Sequence, residues 1–128
     1  MEQKKLLKKF LKFQQKELDA VYMYQLLAKK TKNEDYKRTF FQLAKDEGRH
    51  ASVFFSYTKV SLKPKKLLGN FVDFARKVFG YKILLKVVAK KEYKAFETYK
   101  PYIELYEDIK VIQEDEYRHG DILTSLLN

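Results

Sequence analysis

Cysteine and tryptophan are missing from these 128 residues, and glycine (4), proline (2) and histidine (2) are scarce. Without cysteine there is no disulfide, no zinc-thiolate or iron-sulfur site and no thiol nucleophile, so carboxylate, imidazole and phenol are the chemistry left. So few glycines and prolines cannot supply the turns of an all-β chain, whereas abundant Lys, Leu, Glu, Phe and Tyr suit a few long helices. No apolar run approaches the roughly 20 residues that cross a bilayer. The start, "MEQKKLLKKF", has neither an apolar signal core nor a small-residue cleavage site, and the expectation is a cytoplasmic protein with no transmembrane segment. A chain of this length forms a single domain, 1–128, that buries roughly two thirds of its unfolded surface.

What is plentiful is positive charge. The net of +10 comes from 27 Lys and Arg against 17 Asp and Glu. Such a balance suits nucleic acid, an anionic membrane or an acidic partner, or it reflects lysines solvating helix faces. No dense basic block with stacking aromatics stands out, so there is no clear nucleic-acid motif. The N-terminal "KKLLKKFLKF" has the character of an interfacial helix, but Leu6, Phe10 and Phe13 continue in register with Glu17, Ala20, Val21 and Tyr24 and read as one bundle helix. Ten Tyr and ten Phe leave an aromatic surplus compatible with a homodimer.

Helical spacing runs from about 3 to 30 and from about 34 to 59, where Phe40, Leu43, Phe54 and Tyr57 share a face. Asn33 is placed to cap the second helix, with Glu34 and Asp35 in its first turn. Residues 61–70 read as a connection, followed by a short helix over 71–79 capped by Asn70 and stopped at Gly80. A third long helix covers 81–100 through Leu85, Val88, Ala95 and Phe96, until Pro101 ends or kinks it. The fourth covers 106–127, with Ile109, Ile112, Ile122, Leu123 and Leu126 inward. Four long helices with a long middle connection predict an all-α four-helix bundle with a crossover between the second and third.

Both histidines fall in the same phrase, "DEGRH" at 46–50 and "DEYRH" at 115–119. Ahead of each lies K-E-x-x-A-x-x-x-Y, at Lys16, Glu17, Ala20 and Tyr24 and again at Lys91, Glu92, Ala95 and Tyr99. The chain thus reads as an internal duplication, 1–60 and 81–128 joined by 61–80. The two phrases repeat at offsets of 75 and 69 residues, which predicts a hairpin loop six residues shorter in the second half. Glu17 and Glu47 are equidistant from residue 32, and Glu92 and Glu116 from residue 104, so each pair sits at one height of its hairpin. Glu and His three apart share a helix face. If the hairpins oppose each other about a two-fold axis, the middle connection must span about 35 Å, the length of some 24 helical residues.

Four buried carboxylates repel one another and are costly to desolvate, and two divalent cations would balance them. Glu17, Glu47, His50, Glu92, Glu116 and His119 then form a full ligand set for two metal ions, the donor pattern of di-iron and di-manganese helical bundles. Oxygen and nitrogen donors suit iron, manganese and zinc alike.

On these phrases, and on "KELDAVYMYQLLAKKTKNEDYKRTFFQLAKDEGRHASVF" (16–54), the chain resembles the ferritin-like di-iron carboxylate superfamily, most closely a rubrerythrin-type domain. The resemblance implies two iron ions, with manganese as the other candidate. Glu47 and Glu116 would bridge them, Glu17 and Glu92 would bind terminally, and His50 and His119 would serve one ion each. It further implies that Asp46 holds His119 and Asp115 holds His50, with Arg49 and Arg118 neutralising those aspartates. The other reading leaves both aspartates solvated. Tyr24 and Tyr99 either hydrogen-bond ligand carboxylates as outer-shell groups or are core aromatics.

The pattern departs from rubrerythrins proper in two ways. The extra carboxylate expected three residues after Glu92 is Ala95, and Glu97 points some 140° away around the helix. A rubredoxin-like domain is excluded by the lack of cysteine, so any turnover needs an external electron donor. The activity implied is a di-iron oxidoreductase reacting with hydrogen peroxide or oxygen, as a peroxidase or a ferroxidase. The other reading is a non-catalytic module that delivers iron or manganese to a transporter, shell or storage partner.

Overall fold

Apolar residues recurring at steps of three and four give five α-helices and no strand among the described residues, which are 2–128 of a computed structural model. They are α1 (Gln3–Lys30), α2 (Glu34–Thr58), α3 (Leu67–Phe79), α4 (Tyr81–Tyr99) and α5 (Glu107–Ser125), with a 3-10 turn at Lys100–Tyr102. The backbone clusters into two units, one ending at Asp73 and the other Phe74–Asn128, so the boundary falls inside α3.

The first unit is the α1–α2 hairpin with its connecting strap. Phe10, Phe13, Met23, Tyr24 and Leu27 on α1 are buried, as are Phe40, Leu43 and Phe54 on α2. Phe54 holds its ring centroid 5.6 Å from both Phe10 and Phe13. Each such side chain contributes roughly 1.5–3 kcal/mol by leaving water. The basic N-terminal segment is therefore the start of a packed helix, as its register predicts. Asn33 caps α2, its Oδ1 accepting from the Tyr36 N–H at 3.1 Å, and Glu34 and Asp35 occupy the first turn.

Four α1 side chains then tie down the chain beyond α2. Gln14 accepts from the Thr58 hydroxyl at 2.6 Å and donates to the Val60 carbonyl at 2.8 Å. Gln15 donates to the Lys63 carbonyl, and Asp19 accepts from the Lys65 N–H at 2.7 Å. The Tyr22 hydroxyl donates to Asn70 Oδ1 at 3.0 Å. The short helix begins at Leu67, four residues before the predicted start, so Asn70 is not its cap. The Asn70 N–H instead bonds the Lys66 carbonyl at 2.9 Å, inside the first turn. Gly69 makes this seat available: a Cβ there would meet the Tyr22 ring at 2.6 Å and Met23 Cα at 3.3 Å.

In the second unit, Gly80 ends α3 and opens α4 at φ 84°, a left-handed value that suits glycine. Leu84, Leu85, Val88 and Ala89 of α4 are buried, with Ile109, Ile112 and Leu123 of α5. Ile122 and Leu126 are only half-buried, at the edge of that stripe. The Tyr93 hydroxyl donates to Asp121 at 2.6 Å across the hairpin, and this bond to a carboxylate raises the phenol's pKa above its usual value.

Pro101 converts the end of α4 into the 3-10 turn. It also corrects the expected short loop. The second hairpin's connection, 100–106, has seven residues against three in the first, 31–33. What is shorter is both helical arms between glutamate and loop: 13 residues follow Glu17 in α1 but seven follow Glu92 in α4, and 13 precede Glu47 in α2 but nine precede Glu116 in α5.

Candidate metal centre

Three donors converge in the first unit. Glu17 lies on the α1 stripe that holds Phe13, Ala20 and Tyr24, so its carboxylate is carried inward at a position an apolar residue would normally fill. Glu47 and His50 lie on the α2 stripe between Leu43 and Phe54. His50 Nδ1 stands 3.4 Å from Glu17 Oε2 and 3.3 Å from Glu47 Oε1, all three side chains almost fully withdrawn from solvent. One donor atom from each lies within 4.8 Å of the others.

The second unit repeats the arrangement. Glu92 continues the α4 stripe of Leu85, Val88 and Ala89, and Glu116 and His119 fall between Ile112 and Leu123 on α5. His119 Nδ1 stands 3.4 Å from Glu116 Oε1 and 3.7 Å from Glu92 Oε2. His119 is fully buried. These distances exceed the roughly 2.7–2.9 Å of a charge-assisted hydrogen bond. They approach the 3.0–3.4 Å or so that separates two donors each about 2.1 Å from one cation. Hard carboxylate oxygens beside an imidazole nitrogen suit a divalent iron or manganese ion, so the residues fit a metal.

Around the donors, Asp46 is buried on α2 and bonds the Arg49 guanidinium one turn on. Gln42 adds a bond to Asp46 Oδ1 at 3.0 Å. Gln42 escaped the sequence reading, although an i, i+4 Gln–Asp pair on a helix is a recognisable signal. Asp115 accepts from Arg118 at 2.9 Å and is half-buried. Tyr24 is fully buried and stacks on Phe40, with centroids 6.3 Å apart. Tyr99 is buried at the end of α4. Ala95 is half-buried and Glu97 exposed. Gln113, also unforeseen, is buried and donates to the Phe96 carbonyl at 3.1 Å, closing α5 onto α4.

A helical hairpin with one glutamate and one Glu-x-x-His, present twice in one chain, defines a carboxylate-bundle protein. A family model agrees: the rubrerythrin model matches residues 13–127, and the chain belongs to the rubrerythrin family. Its fold class is accordingly the all-α, ferritin-like helical bundle. A search of curated proteins and a search of solved structures each gave no significant match. Among the described residues no helix is long and apolar enough to cross a membrane.

Proposed function

We propose that the two hairpins of this single duplicated domain serve one dinuclear iron centre held by Glu17, Glu47, His50, Glu92, Glu116 and His119, and that the protein reduces hydrogen peroxide or oxygen there. The observation that carries this reading is the repeated, buried carboxylate–carboxylate–imidazole group, once in each hairpin. The four carboxylates, when ionised, match the charge of two divalent cations, which removes the repulsion that would otherwise oppose their burial. Two ferrous ions in one site would supply the electron pair that a peroxide or oxygen molecule takes up.

The chain's own groups would set the conditions. Each histidine turns Nδ1 toward the carboxylates of its own hairpin, leaving Nε2 for an acceptor. Asp46 and Asp115 are the acceptors we assign, each for the other hairpin's ring, with Arg49 and Arg118 keeping them ionised. Such a partner fixes the tautomer and raises the basicity of the ligating nitrogen. Tyr24 and Tyr99 would orient ligand carboxylates from the outer shell. Apolar residues on either side of the donors, such as Phe13, Phe54, Val88 and Leu123, keep bulk water from the site. Electrons would come from a donor outside these residues, which hold no cysteine for a rubredoxin-like iron site, and a cytoplasmic reductant suits that role.

A second reading is favoured by one observation. Ala95 stands where a fifth carboxylate, the seventh ligand, would be expected, and Glu97 is exposed. A site without that ligand could bind iron or manganese and hand it to a transporter, shell or storage partner without turnover.

Anaerobic loading with two Fe(II) per chain, followed by stopped-flow oxidation with equimolar hydrogen peroxide or oxygen, separates the readings. Peroxide faster by orders of magnitude, with a reductant restoring the ferrous state, makes the protein a peroxidase. Oxygen at least as fast makes it a ferroxidase. Bound iron that reacts slowly with both refutes the redox reading and leaves metal delivery.

A further inference from the structure

The segment 59–91 holds ten basic residues and one acidic residue, Asp73, a net of +9 in a chain whose total is +10. The net positive charge is thus concentrated in this segment, where basic residues lack acidic neighbours. The same segment carries the most exposed of the large apolar side chains among the described residues. Along α3, Leu67 is 82 % exposed, Phe71 67 %, Phe74 63 % and Val78 56 %. Their spacing of four, three and four residues places all four within about 60° of one helix face. The opposite face, Gly69, Val72 and Asp73, is buried. Phe79 at the end of α3 and Ile83 and Val87 of α4 are also exposed, as are Lys82, Lys86 and Lys90 of α4.

We propose that this outer face of α3, with the exposed lysines before and after it, docks the protein on an anionic phospholipid bilayer. A helix lying in the interface places an apolar stripe at the acyl boundary while neighbouring cations meet lipid phosphates. Here Leu67, Phe71, Phe74 and Val78 supply the stripe, and Lys63, Lys65, Lys66, Lys82 and Lys86 supply the charge. A single lysine cluster or a lone apolar stripe would bind weakly, but the two act together. Charge complementarity decides the occupant. A second copy joined two-fold through this face would set one +9 segment against another. A nucleic acid would meet the charge but would leave four large apolar side chains against a polar backbone. An anionic bilayer accepts both. The protein would lie on the membrane and not span it. This inference stands independently of the metal site.

The test is flotation of the full chain with phosphatidylcholine vesicles, with and without phosphatidylglycerol, at low and high salt. Binding is expected only to the anionic vesicles and should weaken with salt. Phe71→Ser combined with Phe74→Ser should lower the vesicle affinity about tenfold or more, and so should Lys82→Glu with Lys86→Glu. All four positions are solvent-exposed, and unchanged helicity with an unchanged metal count per chain verifies that each variant is folded. Failure to float with anionic vesicles overturns the proposal, as does wild-type flotation of both variants. A dimer in sedimentation velocity that dissolves in the Phe71→Ser, Phe74→Ser variant, with no vesicle binding, would assign the face to a second copy instead.

Discussion

His50 and His119 each have two carboxylate oxygens between 3.3 and 3.7 Å from Nδ1, a spacing that one cation would close and a hydrogen bond would not. Removing one donor should therefore read out in metal count before it reads out in stability. Glu116→Ala is expected to bind fewer than two metals per chain by equilibrium dialysis; a count still at two would refute the ligand set. Glu97→Ala, on the exposed side of α4, should leave the count unchanged. Asp46→Asn keeps the shape of the side chain but removes its charge, and should weaken metal affinity about 10- to 100-fold if the aspartate supports a ligand. Unchanged affinity would place Asp46 in the Arg49–Gln42 cluster alone. The six candidate donors, all of them buried, stand out in the sequence because the motif is written twice, and a carboxylate on an apolar stripe breaks the helical pattern visibly. Gln42 left an i, i+4 signal with Asp46, but Gln113 left none, because a lone glutamine says nothing of which distant carbonyl it will meet.

α2 ends on Lys59, the one non-glycine residue among those described with a left-handed backbone, at φ 58°. Its N–H bonds the Phe55 carbonyl at 2.8 Å, and Gln14 clasps the residues on either side, Thr58 and Val60. The left-handed cap is imposed by this clasp against the side chain's preference, so Lys59→Gly should stabilise the protein by about 0.5–1 kcal/mol in urea unfolding. A loss of stability would mean that the lysine side chain itself contributes. At the other end of the helix, Asn33→Ala should cost about 1 kcal/mol by removing the bond to the Tyr36 N–H. The long helices and the Asn33 cap were legible from periodicity and local chemistry. The start of α3 was not. It depends on Gly69 fitting against Tyr22 and on strap contacts to Gln15 and Asp19, all some 46 to 48 residues away in sequence. The six-residue deficit was read correctly as a number and placed wrongly, because the phrase offsets count residues and cannot say whether helix or loop is missing.

Each hairpin buries two carboxylates and an imidazole, positions that apolar side chains would fill at less cost in desolvation. Bound cations would offset that cost, so under the proposed reading metal should govern the stability of the whole chain. A ligand that binds the folded state alone stabilises by about 2.7 kcal/mol per site at a free concentration 100 times its Kd. Two sites would give about 5 kcal/mol, on the order of 15–25 °C in Tm for a domain of this size. Removal of metal by a chelator should lower the melting temperature by such an amount, measured by differential scanning calorimetry. The same measurement bears on whether the hairpins share one centre. If they do, Glu17→Ala on α1 should erase nearly all of the metal-dependent rise, including the part owed to Glu92, Glu116 and His119, and Glu17→Ala with Glu92→Ala should lose little more. If each hairpin holds its own ion, each single variant should keep about half of the rise and the double variant should lose both halves additively. Strong non-additivity thus supports a joint site, while additivity would leave two separate mononuclear sites, neither holding the electron pair that the proposed chemistry requires.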